Sequence, residues 1–297
     1  VHQAYGNYYY GAWQLLKDIG YDAEPFLDYQ LTAEGLAKYR LVYVPNAPCL
    51  SEAQCSILAE YVDHGGTLLA THLTSLADEY GRRRNDYGLS KLFGATLASQ
   101  EPVEIPDLYL RLLPSRRLIP QDPQVMLFKA GEGVEVLAET YSRGHRRTLG
   151  PAIIRRRQGR GQVIYIGSGL EAVYEETLNE DLRTYLRSLL DPILLPSRTY
   201  DVEFRPGLMA HFAASPNTLI LHLLANTGNI WKKLLVDEEF LPVRNVRARI
   251  RLPQGRAAKS VATMWSGKTI PWSVRDGWVE LTVPQVSIYE AIRVDLG

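Results

Sequence analysis

The sequence predicts an α/β fold with a doubly wound sheet over residues 1–196, followed by an antiparallel β-sandwich over residues 197–297. Three observations lead to this prediction. A length of 297 residues suits two domains. Helical and strand patterns alternate through the first two thirds of the chain. After about residue 197 short strands follow one another and no helical pattern interrupts them.

The first predicted elements are a helix, a short strand and a helical turn. Apolar residues recur at helical spacing from Tyr9 to Leu16, and Gly20 ends this helix. A short strand is predicted at Ala23 to Phe26 and a helical turn at Leu31 to Lys38. The apolar run Leu41 to Val44 is typical of a strand buried on both faces, as in a parallel sheet.

The next elements complete a βαβ unit. Ser51 is a good N-cap for a helix from Glu52 to His64, and Gly65-Gly66 ends it. Thr67 to Thr71 is the next buried strand. Strands separated by helices of this length predict right-handed βαβ connections and parallel pairing.

The rest of the first domain is less regular. In chain order we predict a short helix, a proline-rich extended segment, a strand, a hairpin, a last helix and a linker marked by prolines. These elements lie at Leu89 to Phe93, Glu101 to Leu127, Val134 to Thr140, Ala152 to Ile166, Glu180 to Leu190, and Pro192 to Pro196.

The second domain is predicted as short strands with turns between them. Arg247, Arg249 and Arg251 alternate with apolar residues, which indicates a strand with one face in water. The predicted strands lie at Thr218 to Leu224, Val246 to Leu252, Ser260 to Trp265, Trp278 to Val283, and Ile288 to Val294.

Composition excludes several classes of function. Lysine plus arginine and aspartate plus glutamate number 33 each, so no global field attracts nucleic acid or an acidic membrane. No run of about 18 apolar residues could span a bilayer. Cys49 and Cys55 lack the spacing of zinc ligands and are predicted to be thiols in or near the core. We therefore expect a cytoplasmic protein with no cofactor, metal, nucleic acid or membrane partner.

Three basic clusters lie outside these patterns, at residues 82–84, 143–147 and 155–160. Charge runs of this length usually lie on solvated loop rims. A patch for an anion or a partner protein is the alternative, and the sequence leaves both open.

Three segments carry a family resemblance. They are LVYVPNAPCLS at residues 41–51, YVDHGGTLLATHLTSLADEYG at residues 61–81 and GRGQVIYIG at residues 159–167. In this order they resemble the trimerisation domain of bacterial β-galactosidases, a member of the class I glutamine-amidotransferase-like superfamily, over about residues 5–190. The resemblance implies a flavodoxin-like, amidotransferase-like sheet. The tail, at His222 to Thr227 and Val283 to Val294, resembles the small β-domain that ends such glycosidases.

The resemblance also implies a role. In such enzymes a TIM barrel precedes these domains and carries the two catalytic carboxylates, which cannot be transferred to any residue here. The chain opens Val1-His2-Gln3 without methionine or signal peptide, so we expect a fragment. The expected role is a non-catalytic C-terminal accessory region that forms a dimer or trimer in a β-galactosidase-like glycoside hydrolase. The chain alone is not expected to be an enzyme.

Catalytic relatives in the superfamily place a cysteine on a sharp strand-to-helix turn, and a histidine and an acid on a later loop. Here the corresponding turn reads His72-Leu73-Thr74-Ser75, without a cysteine, and Cys49 lies one βα unit too early. The later loop, residues 167–171, supplies Glu171 but no histidine. Amidotransferase and peptidase chemistry is therefore not expected.

A serine mechanism is the remaining catalytic alternative. Ser75 or Thr74 could act as nucleophile with His72 as base, and Asp78 or Glu79 could orient the ring. The structural alternative is that these side chains hydrogen-bond the local backbone. A catalytic role thus stays open for His72, Ser75 and Glu171.

Asp78 and Glu79 form the most specific acidic pair in the sequence. Adjacent carboxylates in a loop normally diverge, so they make a poor acid–nucleophile pair for glycoside hydrolysis. Capping, an ion pair with the nearby arginines or a subunit contact is favoured instead. Open α/β sheets bind ligands at the carboxyl ends of their strands. The predicted ligand-binding residues are therefore His72, Asp78, Glu79 and Glu171.

Aromatic residues suggest a carbohydrate ligand. Tyr8 to Tyr10 with Trp13, or Trp265, Trp272 and Trp278, could stack on sugar rings, although packing is the commoner role of strand aromatics. Two functions therefore compete with the accessory role. One is a free-standing small-molecule hydrolase that uses the loop 72–79, and the other is a carbohydrate-binding protein.

Overall fold

The computed structural model describes residues 2–205, 207–225 and 241–297. Asn226 and Thr227, which belong to the resembling tail segment, lie outside the described residues. The chain forms two compact units, one of Val1–Leu15 with Pro25–Leu194 and the other of Leu16–Glu24 with Leu195–Gly297. In the described part of the chain no helix has the length and apolarity to cross a membrane.

The first unit contains six α-helices, one short 3-10 helix at Asp28–Gln30 and eleven strands among its described residues, with helix α1 continuing into the second unit. The helices are α1 His2–Asp18, α2 Ala33–Ala37, α3 Glu52–Asp63, α4 Ser90–Phe93, α5 Leu170–Thr177 and α6 Glu180–Leu194. The strands are β1 Leu41–Val44, β2 Thr67–Thr71, β3 Ala95–Leu97, β4 Val103–Glu104, β5 Leu108–Leu112, β6 Leu118–Pro120, β7 Gln124–Val125, β8 Phe128–Ala130, β9 Glu135–Ser142, β10 Arg147–Gln158 and β11 Gly161–Ile166.

A seven-stranded sheet organises this unit, with strand order β1-β2-β11-β10-β9-β5-β6. Strands β1, β2 and β11 are parallel, whereas β11, β10, β9, β5 and β6 pair antiparallel. The sheet is therefore mixed, and the predicted parallel pairing holds only at one end. The reason is the hairpin of β10 and β11, which returns the chain beside β2 and continues the sheet in the antiparallel direction.

Strand β2 lies at the centre of the parallel end, and all five of its residues are buried. Leu68 and Ala70 pack with Leu58 and Val62 of α3 in one hydrophobic cluster. Thr71 lies on the opposite face of the strand, where its hydroxyl donates a hydrogen bond to Glu171 in the first turn of α5. Burial on both faces explains why the strand is apolar throughout.

Local sequence signals account for the helices near this edge. Ser51 caps α3 and forms a capping box with Gln54, as the N-cap prediction requires. Thr32 caps α2 by accepting a hydrogen bond from the Gly35 N–H. The predicted start of α3 is confirmed, because capping depends only on neighbouring residues. The helical turn predicted at Leu31 to Lys38 is observed as the shorter α2, Ala33–Ala37.

The strand predicted at Ala23 to Phe26 is wrong, because these residues form no ladder. Pro25 lacks an N–H for a ladder, and Asp22 just before the segment directs its carboxylate to the backbone N–H of Phe212 at 3.0 Å. Side-chain bonding therefore replaces strand pairing at this point.

The linker predicted from Pro192 also differs from the structure, because α6 continues through Pro192 to Leu194. Helix α5 was not predicted. Its buried residues, Leu170, Glu171 and Tyr174, include a carboxylate that sequence patterns do not mark as core.

The second unit is built of antiparallel strands. They are β12 Tyr200–Val202, β13 Leu208–Ser215, β14 Thr218–Ala225, β15 Val243–Arg251, β16 Ala258–Thr263, β17 Trp272–Arg275, β18 Trp278–Val286 and β19 Tyr289–Leu296. Two four-stranded sheets, β12-β15-β18-β17 and β13-β14-β19-β16, share one hydrophobic core. Strands β12, β13 and β17 were not predicted, and β16 ends before Trp265.

Helix α1 approaches α5 closely at one glycine. A Cβ atom built on Gly11 would lie 2.0 Å from the carbonyl oxygen of Glu171 and 3.0 Å from the Glu175 side chain. Gly6, in the same helix, would place its Cβ no nearer than 3.8 Å, to the Tyr10 ring. A glycine inside a helix lowers stability, but at Gly11 it allows the close contact with α5, which any side chain would obstruct.

We predict opposite effects of alanine at these two positions. Gly11→Ala forces α1 away from α5 and lowers the free energy of unfolding by about 2 kcal/mol or more. Gly6→Ala, the matched control, leaves it unchanged or raises it by up to about 1 kcal/mol through helix propensity. Urea unfolding of both variants measures the difference, and equal stabilities would contradict the close contact.

Candidate functional site

The carboxyl ends of β1, β2 and β11 meet at one edge of the sheet, which holds most of the predicted site residues. Asn46 follows β1, His72 to Ser75 follow β2, and Glu171 lies in the first turn of α5 after β11. His72 and Ser75 have φ of 50° and 68°, which makes the turn after β2 tight.

Hydrogen bonds to the backbone satisfy the small polar residues of this edge. The hydroxyl of Thr74 donates to the Thr71 carbonyl at 2.7 Å and accepts from the Ala47 N–H at 3.1 Å. The amide oxygen of Asn46 accepts from the Leu73 N–H at 3.2 Å. These hydrogen bonds therefore hold the loop after β1 and the turn after β2 together.

His72 is buried, and its ring lies beside Tyr8 of α1. The Tyr8 hydroxyl is 3.4 Å from Nδ1, and the two ring centroids are 5.9 Å apart in near-parallel planes. Nε2 is buried and has no hydrogen-bond partner among the described residues. Burial lowers the pKa of His72 to about 4, because the imidazolium would lose its hydration. The ring is therefore neutral at neutral pH.

Ser75 is buried and hydrogen-bonds backbone groups. Its Oγ accepts a hydrogen bond from the Leu89 N–H at 3.1 Å, and its own N–H donates to the Ala47 carbonyl at 2.9 Å. No hydrogen bond joins Ser75 to His72 in the described residues. A serine nucleophile requires that contact, so the arrangement does not form a nucleophile–base pair.

The cysteines do not supply a nucleophile either. Cys55 is buried in α3, and burial raises its pKa to about 11, which disfavours the reactive thiolate. Cys49 is exposed in the loop after β1 and makes a bridge with Ala77 through the backbone. The turn after β2 thus contains no thiol, as its sequence indicates.

Glu171 is fully buried and ties α5 to the sheet. Its Oε1 accepts from the Thr71 hydroxyl at 2.5 Å and its Oε2 from the Tyr43 hydroxyl at 3.1 Å. Burial raises the pKa of Glu171 to about 7, although the hydrogen bonds from Thr71 and Tyr43 oppose that rise. Close to neutral pH, the carboxyl therefore changes its protonation state inside the protein.

Asp78 and Glu79 diverge. The Asp78 carboxylate accepts from the backbone N–H groups of Tyr80 at 3.0 Å and Arg82 at 2.8 Å, so it closes the loop. Glu79 points to solvent. Of the alternatives predicted for this pair, loop capping is confirmed for Asp78. Within the described residues, neither carboxylate forms an ion pair with the arginines at 82–84.

Arg84 holds the other end of this loop, which we call the 78–84 loop. Its guanidinium donates to the carbonyls of Ala77 and Ser75 and forms an ion pair of 2.8 Å with Glu52 of α3. The loop is therefore fixed at both ends. At its tip Tyr80 is 74% exposed, with the Arg82 guanidinium 5.1 Å from its ring centroid.

Tyr43 and Thr71 are site residues that the sequence analysis missed. Hydroxyl residues near the carboxyl ends of buried strands were one available signal. Gly11, inside an amphipathic helix, was another, since it marks a close backbone approach. Neither signal identifies Glu171 as the partner, because that contact joins residues 100 and 128 positions apart.

The aromatic candidates divide into packed and exposed residues. Tyr8 packs on His72, whereas Tyr10 and Trp265 are 61% and 74% exposed. Trp278 lies between the guanidinium groups of Arg249 and Arg251, each 4.8 Å from its ring. Among the described residues no group of three or more histidine, cysteine, aspartate or glutamate side chains is arranged to hold a metal ion.

Comparison with known proteins gives one family match. Residues 27–114 match the model of the beta-galactosidase trimerisation domain. This segment contains β1, α3, β2 and the 78–84 loop. No curated protein sequence matches the chain.

Similar solved structures include several glycoside hydrolases. An alpha-L-fucosidase isoenzyme 2 from Paenibacillus thiaminolyticus has a TM-score of 0.70 and 16% identity, covering 97% of this chain and 44% of that one. Gan42B, a GH42 beta-galactosidase from G. stearothermophilus, has a TM-score of 0.63 and 18% identity. The match covers 99% of this chain and 36% of Gan42B.

A beta-galactosidase from Bacillus circulans sp. alkalophilus gives similar values, a TM-score of 0.62 and 17% identity over 98% of this chain and 37% of that one. At such identities the likeness shows the fold. The chain spans less than half the length of each of these proteins.

We predict that His72 and Glu171 change the free energy of unfolding in opposite directions as pH rises. The lowered pKa of His72 means that its contribution is lost as pH falls from about 6.5 to about 4. The raised pKa of Glu171 means that stability falls as pH rises from about 4.5 to about 7. Each contribution amounts to about 3 kcal/mol at most, and the two oppose each other between pH 4.5 and 6.5.

Single variants separate the two contributions. Glu171→Gln does not titrate; its amide oxygen can accept from one of the two hydroxyls, and its NH₂ group donates to the other. With the Glu171 contribution removed, that of His72 remains, so the stability of this variant rises with pH between about 4 and 6.5. His72→Asn, which tolerates the positive φ, falls in stability between pH 4.5 and 7. Urea unfolding at half-unit pH steps measures both curves. Parallel curves for the wild type and both variants would show that neither group titrates as described.

Proposed function

We propose that this chain is the non-catalytic C-terminal accessory and oligomerisation region of a β-galactosidase-like glycoside hydrolase. The observation that carries the proposal is the match of residues 27–114 to the trimerisation-domain model. The similar glycoside hydrolases, each more than twice as long as this chain, support it. The catalytic carboxylates of such an enzyme would then lie in a part of the protein other than these residues.

The finer fold assignment belongs to this proposal. We assign residues 1–196 to a flavodoxin-like, doubly wound domain of the amidotransferase-like superfamily and residues 197–297 to a β-sandwich domain. The parallel strands β1, β2 and β11, with α3 on one face and α5 on the other, support the first assignment. The core shared by two antiparallel sheets supports the second.

The 78–84 loop is the proposed subunit contact. Interfaces depend on a few buried anchors, among which tyrosine and arginine are enriched, and a rigid surface loses less entropy on association. The loop offers both features, since Asp78 and Arg84 fix its backbone while Tyr80 and Arg82 stand outside. Glu79, exposed beside them, supplies a charge at the rim.

A free-standing hydrolase is the less favoured function. It would use Ser75 and His72, whose side chains are directed to different partners, Leu89 and Tyr8. A ligand at the sheet edge would contact Glu79 and Asp78 first, because His72 and Glu171 are buried. A carbohydrate ligand likewise stays a prediction, with exposed Trp265 as its best candidate contact.

Sedimentation velocity tests the subunit contact. We expect the chain to form a dimer or trimer, and Tyr80→Ala to weaken association at least tenfold, equivalent to about 1.4 kcal/mol. Tyr29→Ala is the matched control, because Tyr29 is 76% exposed and lies in the same unit. A monomer at all concentrations would contradict the proposed assembly, and equal effects of the two variants would contradict the role of the loop.

Turnover assays test the absence of catalysis. The chain is expected to release no chromophore from a chromogenic galactoside or ester, because Ser75 and His72 hydrogen-bond other partners among the described residues and do not form a nucleophile–base pair. His72→Ala serves as the comparison. Turnover by the wild type that this substitution abolishes would support the hydrolase instead.

A further inference from the structure

Two of the six histidines of the chain face each other on the second unit. His211 of β13 and His222 of β14 are direct partners in the antiparallel register. Opposite residues of such a pair project from the same face, with Cβ atoms about 5 Å apart. The neighbours of His222 in β14, Leu221 and Leu223, are fully buried, so both histidines lie on the outer face of the sheet.

The separation of the two rings suits a shared metal ion. Their centroids are 6.0 Å apart and their planes differ by 28°. An imidazole nitrogen binds zinc at about 2.0–2.1 Å, which places the metal about 3.2 Å from the ring centre. At the tetrahedral angle that zinc prefers, two rings on one ion lie about 5.2 Å apart, so this pair needs to close by about 1 Å to share an ion.

The outer contacts of both rings resemble the second shell of a metal site. Nδ1 of His211 is 3.0 Å from the Asp22 carboxylate, and Nδ1 of His222 is 2.7 Å from the Tyr289 hydroxyl. Metal-binding histidines typically donate their second ring N–H to such groups, which fixes the tautomer and directs Nε2 to the metal.

Asp22 is itself held in place, so the orientation of His211 is set in advance. The Asp22 carboxylate accepts from the Phe212 N–H at 3.0 Å and forms an ion pair with Lys17. His211 is 63% exposed and His222 is partly buried, so water can complete the coordination of a bound ion.

We propose that His211 and His222 chelate a divalent transition metal of the kind that prefers imidazole, such as Zn²⁺. Imidazole suits zinc, copper and nickel, whereas magnesium and calcium prefer oxygen ligands. Two protein ligands and water make an open site at the protein surface. Asp22 and Tyr289 are positioning residues, because they act through the histidine rings.

Zinc titration of the full chain, with any histidine tag removed, tests the site. Competition with a chromogenic chelator at pH 7.5 is expected to give one site, which is lost or weakened at least tenfold in His211→Ala and in His222→Ala. Asp22→Asn is expected to weaken binding about 10–100-fold. Mg²⁺ should not compete, because it prefers oxygen ligands.

His64→Ala is the matched control. His64 is also exposed, and its Nδ1 is 2.8 Å from the carbonyl oxygen of Glu60. In the part of the chain that the structure describes, no ring contact joins it to a second histidine. This variant should bind zinc like the wild type. Urea unfolding confirms that each variant is folded, and zinc should raise the unfolding midpoint of the wild type but not of His211→Ala.

Two results would overturn the proposal. One is a wild type that does not bind zinc in this assay. The other is a double variant, His211→Ala with His222→Ala, that is folded and binds zinc as tightly as the wild type.

Discussion

The buried carboxyl of Glu171 is the contact on which the parallel end of the first unit depends. It binds the hydroxyls of Thr71 in β2 and Tyr43 in β1, so one side chain joins α5 to two strands. Gly11 lets α1 lie directly against the carbonyl of the same residue. A buried carboxyl costs free energy unless it is bonded or protonated, and here both conditions can be met near neutral pH.

The polar residues at this edge of the sheet mainly hold the fold together. Open α/β sheets offer loops at the carboxyl ends of their strands, where ligands commonly bind. Here the loops after β1 and β2 hydrogen-bond each other through Asn46 and Thr74, and α1 covers His72 with Tyr8. The polar groups that could serve a ligand are largely used within the fold. What remains at the surface is the 78–84 loop, a rigid projection with Tyr80 at its tip.

The two units use polar residues differently. In the first, the buried side chains of Asn46, Thr74, Ser75 and Glu171 at the sheet edge hydrogen-bond within the fold. In the second, His211 and His222 stand on the outer face of a sheet, with Asp22 and Tyr289 arranging their rings from behind. The proposed accessory role and the proposed metal site are independent, since they rest on different residues.

The sequence by itself determined the features that depend on near neighbours. The cap at Ser51, the strands β1 and β2, the hairpin of β10 and β11, and the lack of a cysteine after β2 could be read directly, because caps, turns and burial patterns repeat within a few residues. Only the tertiary structure decided the insertion of β11 beside β2, the burial of Glu171 and the pairing of His211 with His222. These depend on register and packing between distant segments, and a change of one residue in register would turn such side chains to the other face.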